Sequence, residues 1–593
     1  MPHRRNVLLG AGALAALAGR AGAAPPDDAA LTALLSRHMD EYLAISPEAA
    51  ASLLTDARGK AARSKLNDRS PGGKAADVAA ARRWRAELKR IDRQALSSAR
   101  QVDYDSAAFA YEMLDEVGSR YGFQDHALRP GPYLVNQMAG AYYWQPQDFA
   151  REPIASRDDA EAYLSRLDDF ARVLDGETAG IKADAAAGVV PPDFIIDRTV
   201  GQLVDLRSNA SAALTDGPVA RAEAAGLPGV ALAAREILDG RVMPALNRQI
   251  AALRSYRANA SSEAGVWRLP DGEAWYALAL RSNTTIATPP EEMHRIGLDT
   301  FQALKAELDG LLRAQGLTGG AVAERIKALD HDPRFLKPNT DAGRAEILKF
   351  SRDHLAGLHA KLPRAFRTLP DRDITVDRIP VAIEAGAPGA YYDGPPADGS
   401  RPGVISINLK DTAEWPTWRL KTLIHHEGDP GHHLQNAVFV RAAGPDMPLY
   451  KHFAQFSSYV EGWALYAEQV AVEIGAYEND PFGQIGAVQS ALFRAARIVV
   501  DTGIHHKRWS RAEATRWMVE EAGEQPVSAQ REIDRYCVYP GQACAFMVGR
   551  LELMRTRAAA KQRQGKAFDV RDWHEAVLRA GPMPMEVLAR TMG

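Results

Sequence analysis

Cysteine is nearly absent: Cys537 and Cys544 are the only two in 593 residues. Two thiols cannot complete a cysteine-built zinc site, and there is no cysteine cluster for a redox centre. In an exported chain the pair could form a disulfide. Their spacing around Pro540-Gly541 fits two small buried apolar groups better. A one-signed charge block is also missing. The 72 basic and 75 acidic residues are interspersed and leave a net charge of −3, which argues against a nucleic-acid partner. No apolar run after residue 24 approaches the roughly 20 residues that span a bilayer, so no stable membrane association is expected once the leader is removed. There is no Gly-x-Ser-x-Gly elbow for serine hydrolysis, and no glycine-rich turn following a strand for a dinucleotide. What remains is an ordinary globular composition, 46% hydrophobic and 7% aromatic.

The first 24 residues differ from the rest. Arg4-Arg5 precedes an Ala/Gly/Leu-rich run that ends in Ala21-Gly22-Ala23. A twin arginine, a mildly apolar core and a small-x-small cleavage site read as a twin-arginine export signal. An ordinary secretory signal carrying paired arginines is the alternative. Either predicts a periplasmic or secreted protein starting near Ala24 or Pro25, and the lack of a nearby cysteine argues against a lipid anchor.

The mature chain reads as mostly α. Apolar residues at three- and four-residue spacing predict helices over Leu31 to Leu54, Ala76 to Ala99, Asp158 to Leu174, Pro218 to Ser255, Pro290 to Gln315 and Thr340 to Leu362. Long helices are also expected over 448–475 and 482–509. Strand signals are few and fall together, at Asp373 to Val376, Val381 to Ile383 and Gly403 to Leu409, with a Gly/Pro/Asp-rich loop over Gly386 to Pro402. A small sheet is therefore expected just before the most unusual stretch of the chain. A division into a helical N-terminal region (25–280) and a catalytic region (281–593) follows from where the chemistry lies.

That unusual stretch is His425-His426-Glu427-Gly428-Asp429-Pro430-Gly431-His432-His433, which gathers four of the fifteen histidines around one Glu and one Asp. Two imidazoles and a carboxylate able to act on water are the minimum kit of a hydrolytic zinc site. In the usual zinc-peptidase helix the histidines are four apart, with Glu after the first. Here His432 follows His426 by six. On an unbroken helix that leaves it about 120° off the face. Pro430 cannot donate to a preceding carbonyl and Gly431 tolerates distortion, so a break there could bring His432 back. A set of His425, Asp429 and His433, four apart, is a second possibility, and a surface histidine patch a third. Glu461 supplies a third ligand from another helix. It sits among Phe453, Phe456, Tyr459 and Trp463, where an unpaired carboxylate would be costly. Glu468, two turns on, suits orienting an imidazole or a plain ion pair.

His426 to Gln435 resembles the His-Glu-x-x-Pro-Gly-His signature of the bacterial domain of unknown function 885 family, which is similar to glutamate-liganded zinc metallopeptidases. Glu461 to Glu468, Asp501 to His505, and Arg535-Tyr536 with Pro540 to Ala543 resemble further blocks of it, as do Thr285 to Gly297 and Tyr391 to Asn408. The resemblance implies an almost all-helical fold around a deep cleft, a metal at its floor, and peptidase chemistry. The chain departs from the family pattern at Phe546, where tyrosine is expected.

The expected chemistry is metal-assisted amide hydrolysis of short peptides. His426, His432 and Glu461 would hold one Zn2+, with Glu427 as general base. His505, Tyr536 and Tyr539 are candidates to stabilise the oxyanion or bind substrate, each with a packing role as the alternative. Asp501 and His505, four apart, could orient one another. Arg535 could clamp a substrate carboxylate or pair with Glu532 or Asp534. The strand ending near Asn408 could pair with an extended peptide. The same residues would serve a hydrolase of a non-peptide amide or ester. An inactive periplasmic binding protein is the rival from another class, and retention of Glu427 and every candidate ligand argues against it.

Overall fold

The computed structural model describes residues 26–125, 128–370, 373–381, 384, 389–395, 401–444, 447–452 and 455–593. The export signal lies outside the described residues, as do Phe453 and residues 386–388 and 396–400 of the expected loop, while Ala390–Asp393 within that loop form a strand.

Apolar periodicity builds a mostly helical molecule, and helix accounts for 70% of it. Most expected helices are present, several with breaks at residues that cannot continue them; the Ala76 to Ala99 expectation ends with helix Pro71–Leu88, and within 448–475 the α-helix begins at Ser457. The Leu31 to Leu54 prediction resolves into Pro26–Ile45 and Pro47–Leu53, since Pro47 has no N–H for the preceding turn. The Pro218 to Ser255 prediction divides at Gly226 and Gly229, both at positive φ. Thr340 caps helix Asp341–His359 by accepting from the Gly343 N–H. Helix Pro290–Ala314 opens with Pro290, Glu291 and Glu292 in its first turn.

A two-stranded ribbon pairs β1 (Phe123–Gln124) with β2 (Pro130–Gly131). The larger sheet has β3 (Ile374–Arg378), β4 (Ala390–Asp393) and β5 (Gly403–Ile407) in the order β3-β5-β4, parallel on one side and antiparallel on the other. Two strand expectations need correcting. Val381 is an exposed turn residue, and Ala382 and Ile383 fall outside the described residues. More consequentially, β5 is the central strand, so both its edges are already paired and it cannot add a substrate backbone. The sheet buries Val376, Ile405 and Ile407 against Ile347 and Leu355 on one helix and Leu420 and Ile424 on helix Thr417–Glu427. Each such side chain stabilises by about 1.5–3 kcal/mol. That packing fixes the helix that ends in the histidine cluster. The largest core runs through position 280: Trp275, Tyr276 and Leu280 pack with Tyr133 and Val189 on one side and Ile498 and Tyr536 on the other. Cys537 and Cys544 are buried free thiols within it.

Candidate metal centre

Helix Thr417–Glu427 stops where Gly428 leaves helical geometry (φ −100°, ψ −124°), and helix His432–Ala443 begins after Gly431 (φ −78°, ψ −129°). The intervening peptide Asp429–Pro430 is cis. The break is closed by His433 N–H donating to Gly428 O (3.2 Å) and by the Trp463 indole N–H donating to Pro430 O (3.0 Å). A Cβ at Gly431 would lie 2.0 Å from His426 O and 2.4 Å from His425 O, so only glycine fits. The chain thus doubles back, and the rings of His426 and His432 stand 5.1 Å apart and nearly perpendicular.

Helix Ser457–Glu473 presents Glu461 and Glu468 two turns apart on one face. Glu461 Oε2 lies 3.6 Å from His426 Nε2 and 3.5 Å from His432 Nε2. All three ligand atoms fall within 4.8 Å of one another, the one such His/Cys/Asp/Glu cluster among the described residues. Glu468 Oε1 is 2.8 Å from His426 Nδ1, which assigns the Nδ1 proton and turns the Nε2 lone pair toward Glu461. The helix is held close to its neighbour Ala545–Gln564, because a Cβ on Gly462 would come within 2.5 Å of Gly549 Cα. Phe546, from that neighbour, stacks on His426 (6.4 Å, 19°). Glu427 is buried at the end of its helix, and among the described residues no side chain hydrogen-bonds its carboxylate.

The electrostatics suit a cation. Loss of solvation alone would depress the His426 imidazole, but Glu461 and Glu468 outweigh it and push it up to about 9. Desolvation would likewise raise Glu461, yet His426 and His432 hold it well below the usual carboxylate range. His426 is buried, whereas the side chains of His432 and Glu461 are 15% and 26% exposed, so the centre opens toward solvent on their side.

The alternative set does not converge. His425 faces away, its Nε2 2.8 Å from His354 Nε2 and its Nδ1 3.0 Å from the Tyr477 hydroxyl, while Asp429 bonds His433 Nδ1 at 2.9 Å. The expected Asp501–His505 pair is also corrected. Asp501 accepts from the Tyr276 hydroxyl (2.7 Å) and Gly541 N–H (3.0 Å). His505 accepts from Val266 N–H at Nδ1 (3.1 Å) and donates from Nε2 to Tyr536 O (3.0 Å). With both nitrogens engaged and no exposure, His505 has no free atom for an oxyanion. The Tyr536 hydroxyl donates to Glu532 (2.8 Å). Arg535 donates to Gln542 Oε1 (2.6 Å) and lies 3.6 Å from Glu532, the structural partner anticipated for it. Tyr539 packs edge-on against Phe123 with the Arg129 guanidinium over its ring. Asn408 donates to Glu384 O and organises the turn after β5.

Sequence reasoning missed Arg494 and Arg497, on helix Pro481–His505. The signal was available: two arginines three apart inside an otherwise apolar helix, where an unpaired charge is expensive. Arg497 donates to Glu532 (2.8 Å) and stacks against Phe493 and Phe546.

The sequence profile of the bacterial protein of unknown function family DUF885 matches residues 47–592. The chain belongs to the DUF885 family. A solved "putative lipoprotein" from Colwellia psychrerythraea is 31% identical with a TM-score of 0.88, over 96% of this chain and 99% of its own. A second, a "putative lipoprotein of unknown function" from Shewanella oneidensis, is 18% identical with a TM-score of 0.71, covering 94% and 98%; at that identity it shows the fold alone. No curated protein matches the chain. Among the described residues no helix is long and apolar enough to cross a membrane. With a lipoprotein among the relatives, this is compatible with an exported protein.

Proposed function

We propose that this DUF885 member is an exported zinc-dependent peptidase acting on short peptides. One observation carries the reading: His426 Nε2, His432 Nε2 and Glu461 Oε2 converge within 4.8 Å, with Glu427 adjacent to a ligand. The donor set fits the metal. Two neutral imidazoles and one carboxylate are a common catalytic zinc set that leaves a position open, and the buried Glu468 fixes the tautomer that frees His426 Nε2. A bound zinc would supply Lewis acidity, polarising the scissile carbonyl and acidifying water.

The remaining steps belong to the chain's own residues. Glu427 takes a proton from the attacking water as the O–C bond forms, then passes it to the amide nitrogen as the C–N bond breaks. Glu468 keeps His426 oriented throughout. His432 and Glu461 line the solvent-facing side, by which substrate reaches the centre. The twin-arginine leader supports a periplasmic or secreted location. The test is a peptide-library digest with the zinc-loaded mature protein beside Glu427→Gln. Hydrolysis by the first and not the second is expected, and equal hydrolysis by both would overturn the assignment of Glu427.

A further inference from the structure

Among the described residues five non-glycines have positive φ, and Thr285 is the one β-branched side chain in that set. It ends helix Gly272–Thr284 in the left-handed region (φ 57°, ψ 25°), with its N–H donating to Arg281 O. Glycine or asparagine adopts that conformation cheaply, whereas a branched Cβ is strained there. What its hydroxyl does explains a threonine in this place. Fully buried, Oγ1 accepts from the Met585 N–H (2.8 Å) and shares a hydrogen bond with Ser458 Oγ (2.8 Å). Met585 and Ser458 each stand in the opening turn of a helix, Met585–Met592 and Ser457–Glu473. Opening turns have backbone N–H groups without intrahelical partners, and helix ends fray first. Helix Ser457–Glu473 has no side-chain cap of its own, and it carries Glu461 three residues beyond Ser458. Gly549 allows helix Ala545–Gln564 to press on the same residue, since a Cβ there would stand 1.9 Å from Ser458 O.

We propose that Thr285 is a positioning residue for the metal centre: its hydroxyl ties down the opening turn of helix Ser457–Glu473 and so holds Glu461 against His426 and His432. The proposal rests on the metal reading of that centre for its functional meaning. Glu461 Oε2 lies 3.6 and 3.5 Å from the two imidazole nitrogens. A ligand set of this kind must be kept within about 0.5 Å of its working geometry, which a frayed turn does not do. Glu468 sits two turns further into the helix, so a loosened opening turn displaces Glu461 and leaves Glu468 on His426. Helix Met585–Met592, docked on the same hydroxyl, buries Met585, Val587 and Leu588 in the core that also holds Phe456, Tyr459 and Trp463. One strained residue thus joins three helix ends at the base of the ligand-bearing turn.

The experiment uses the full-length mature protein and four variants. Thr285→Val keeps the branched shape and removes the hydroxyl, and Thr285→Gly removes both the hydroxyl and the strain. Thr285→Ser keeps the hydroxyl, and Ser458→Ala removes its partner while sparing the Met585 bond. Zinc affinity is measured by competition with a chelator, and melting temperature on the metal-free proteins. We expect zinc to weaken about tenfold in Thr285→Val, Thr285→Gly and Ser458→Ala, the lower end for groups that orient a ligand, and to stay within about twofold of wild type in Thr285→Ser. Thr285→Gly should melt above Thr285→Val, because glycine carries no strain at this φ, yet bind zinc no better. Zinc affinity that follows melting temperature through the series, or equals wild type in all four, overturns the proposal. Deuterium exchange on the metal-free proteins separates the anchor from the metal reading. Amides of residues 459–462 should exchange at least about tenfold faster in Thr285→Val and Ser458→Ala than in wild type. A wild type that binds no zinc, but whose opening turn is released in these variants, removes the metal reading and keeps the anchor. Unchanged exchange removes the anchor whatever the metal content.

Discussion

Two parts of this molecule combine histidine with carboxylate, and they use them in opposite ways. Around Asp501 and His505 every polar atom has a partner of its own: Tyr276 and Gly541 for the carboxylate, Val266 and Tyr536 for the imidazole. Burial pushes Asp501 up to about 7 and His505 down to about 4, so each favours its neutral form. Around Glu461, by contrast, two imidazoles and a carboxylate face one another at 3.5–3.6 Å, and the other side of His426 is fixed by Glu468. The lesson is about vacancy. A histidine with both nitrogens satisfied holds a fold together, and one with a nitrogen aimed at other ligands is available for chemistry. His574 follows the first pattern, between the Tyr466 hydroxyl and Ala365 O.

The comparison can be broken most severely at the reaction centre. Glu427→Gln is expected to lower hydrolysis by about 10²–10⁴-fold while zinc content stays at wild type; steady-state kinetics and metal analysis check both halves. Gly431→Ala should come next, since its Cβ would intrude to 2.0 Å from His426 O and open the hairpin that pairs the two histidines. Loss of zinc together with a lower melting temperature is expected. Glu468→Gln should weaken zinc by about 10–100-fold, as for other groups that orient a ligating imidazole, measured by competition with a chelator.

The smallest effect, and the one that sharpens the contrast, belongs to His505→Gln. It should cost about 1–3 kcal/mol of stability through unmade buried hydrogen bonds and leave zinc untouched. Its pH dependence has a definite sign. The unfolded chain protonates this imidazole near pH 6.5 and the folded chain only near about 4, so its contribution is complete above 6.5 and declines as pH falls from 6.5 toward 4. Thermal melts across that window should show wild type losing stability on acidification more steeply than His505→Gln. Parallel pH profiles would contradict the assignment.

The contrast also explains what could be read in advance. The helices were legible because periodicity is local, and their breaks fall at Pro47, Gly226 and Gly229 for local reasons. The convergence of His426, His432 and Glu461, with Glu468 on His426, was legible because an odd spacing with Pro-Gly between two histidines has few physical outcomes, and because a carboxylate in an aromatic helix needs a partner. The strand order was not: β5 reads as a strand from alternation, but its central place depends on partners 11–17 and 29 residues away in sequence, which no alternation pattern specifies. Asp501 and His505 misled for the opposite reason. Their four-residue spacing is local, while their partners come from residues 266, 276, 536 and 541.

The central claim, that the open histidine–glutamate corner binds a catalytic metal, is tested most directly by metal content. The mature protein and His432→Ala, each purified and incubated with zinc, would be weighed for bound metal by mass spectrometry. One tightly held zinc per wild-type chain and none in the variant is the predicted result. No stoichiometric zinc in the wild type, or equal zinc in both, would contradict the account.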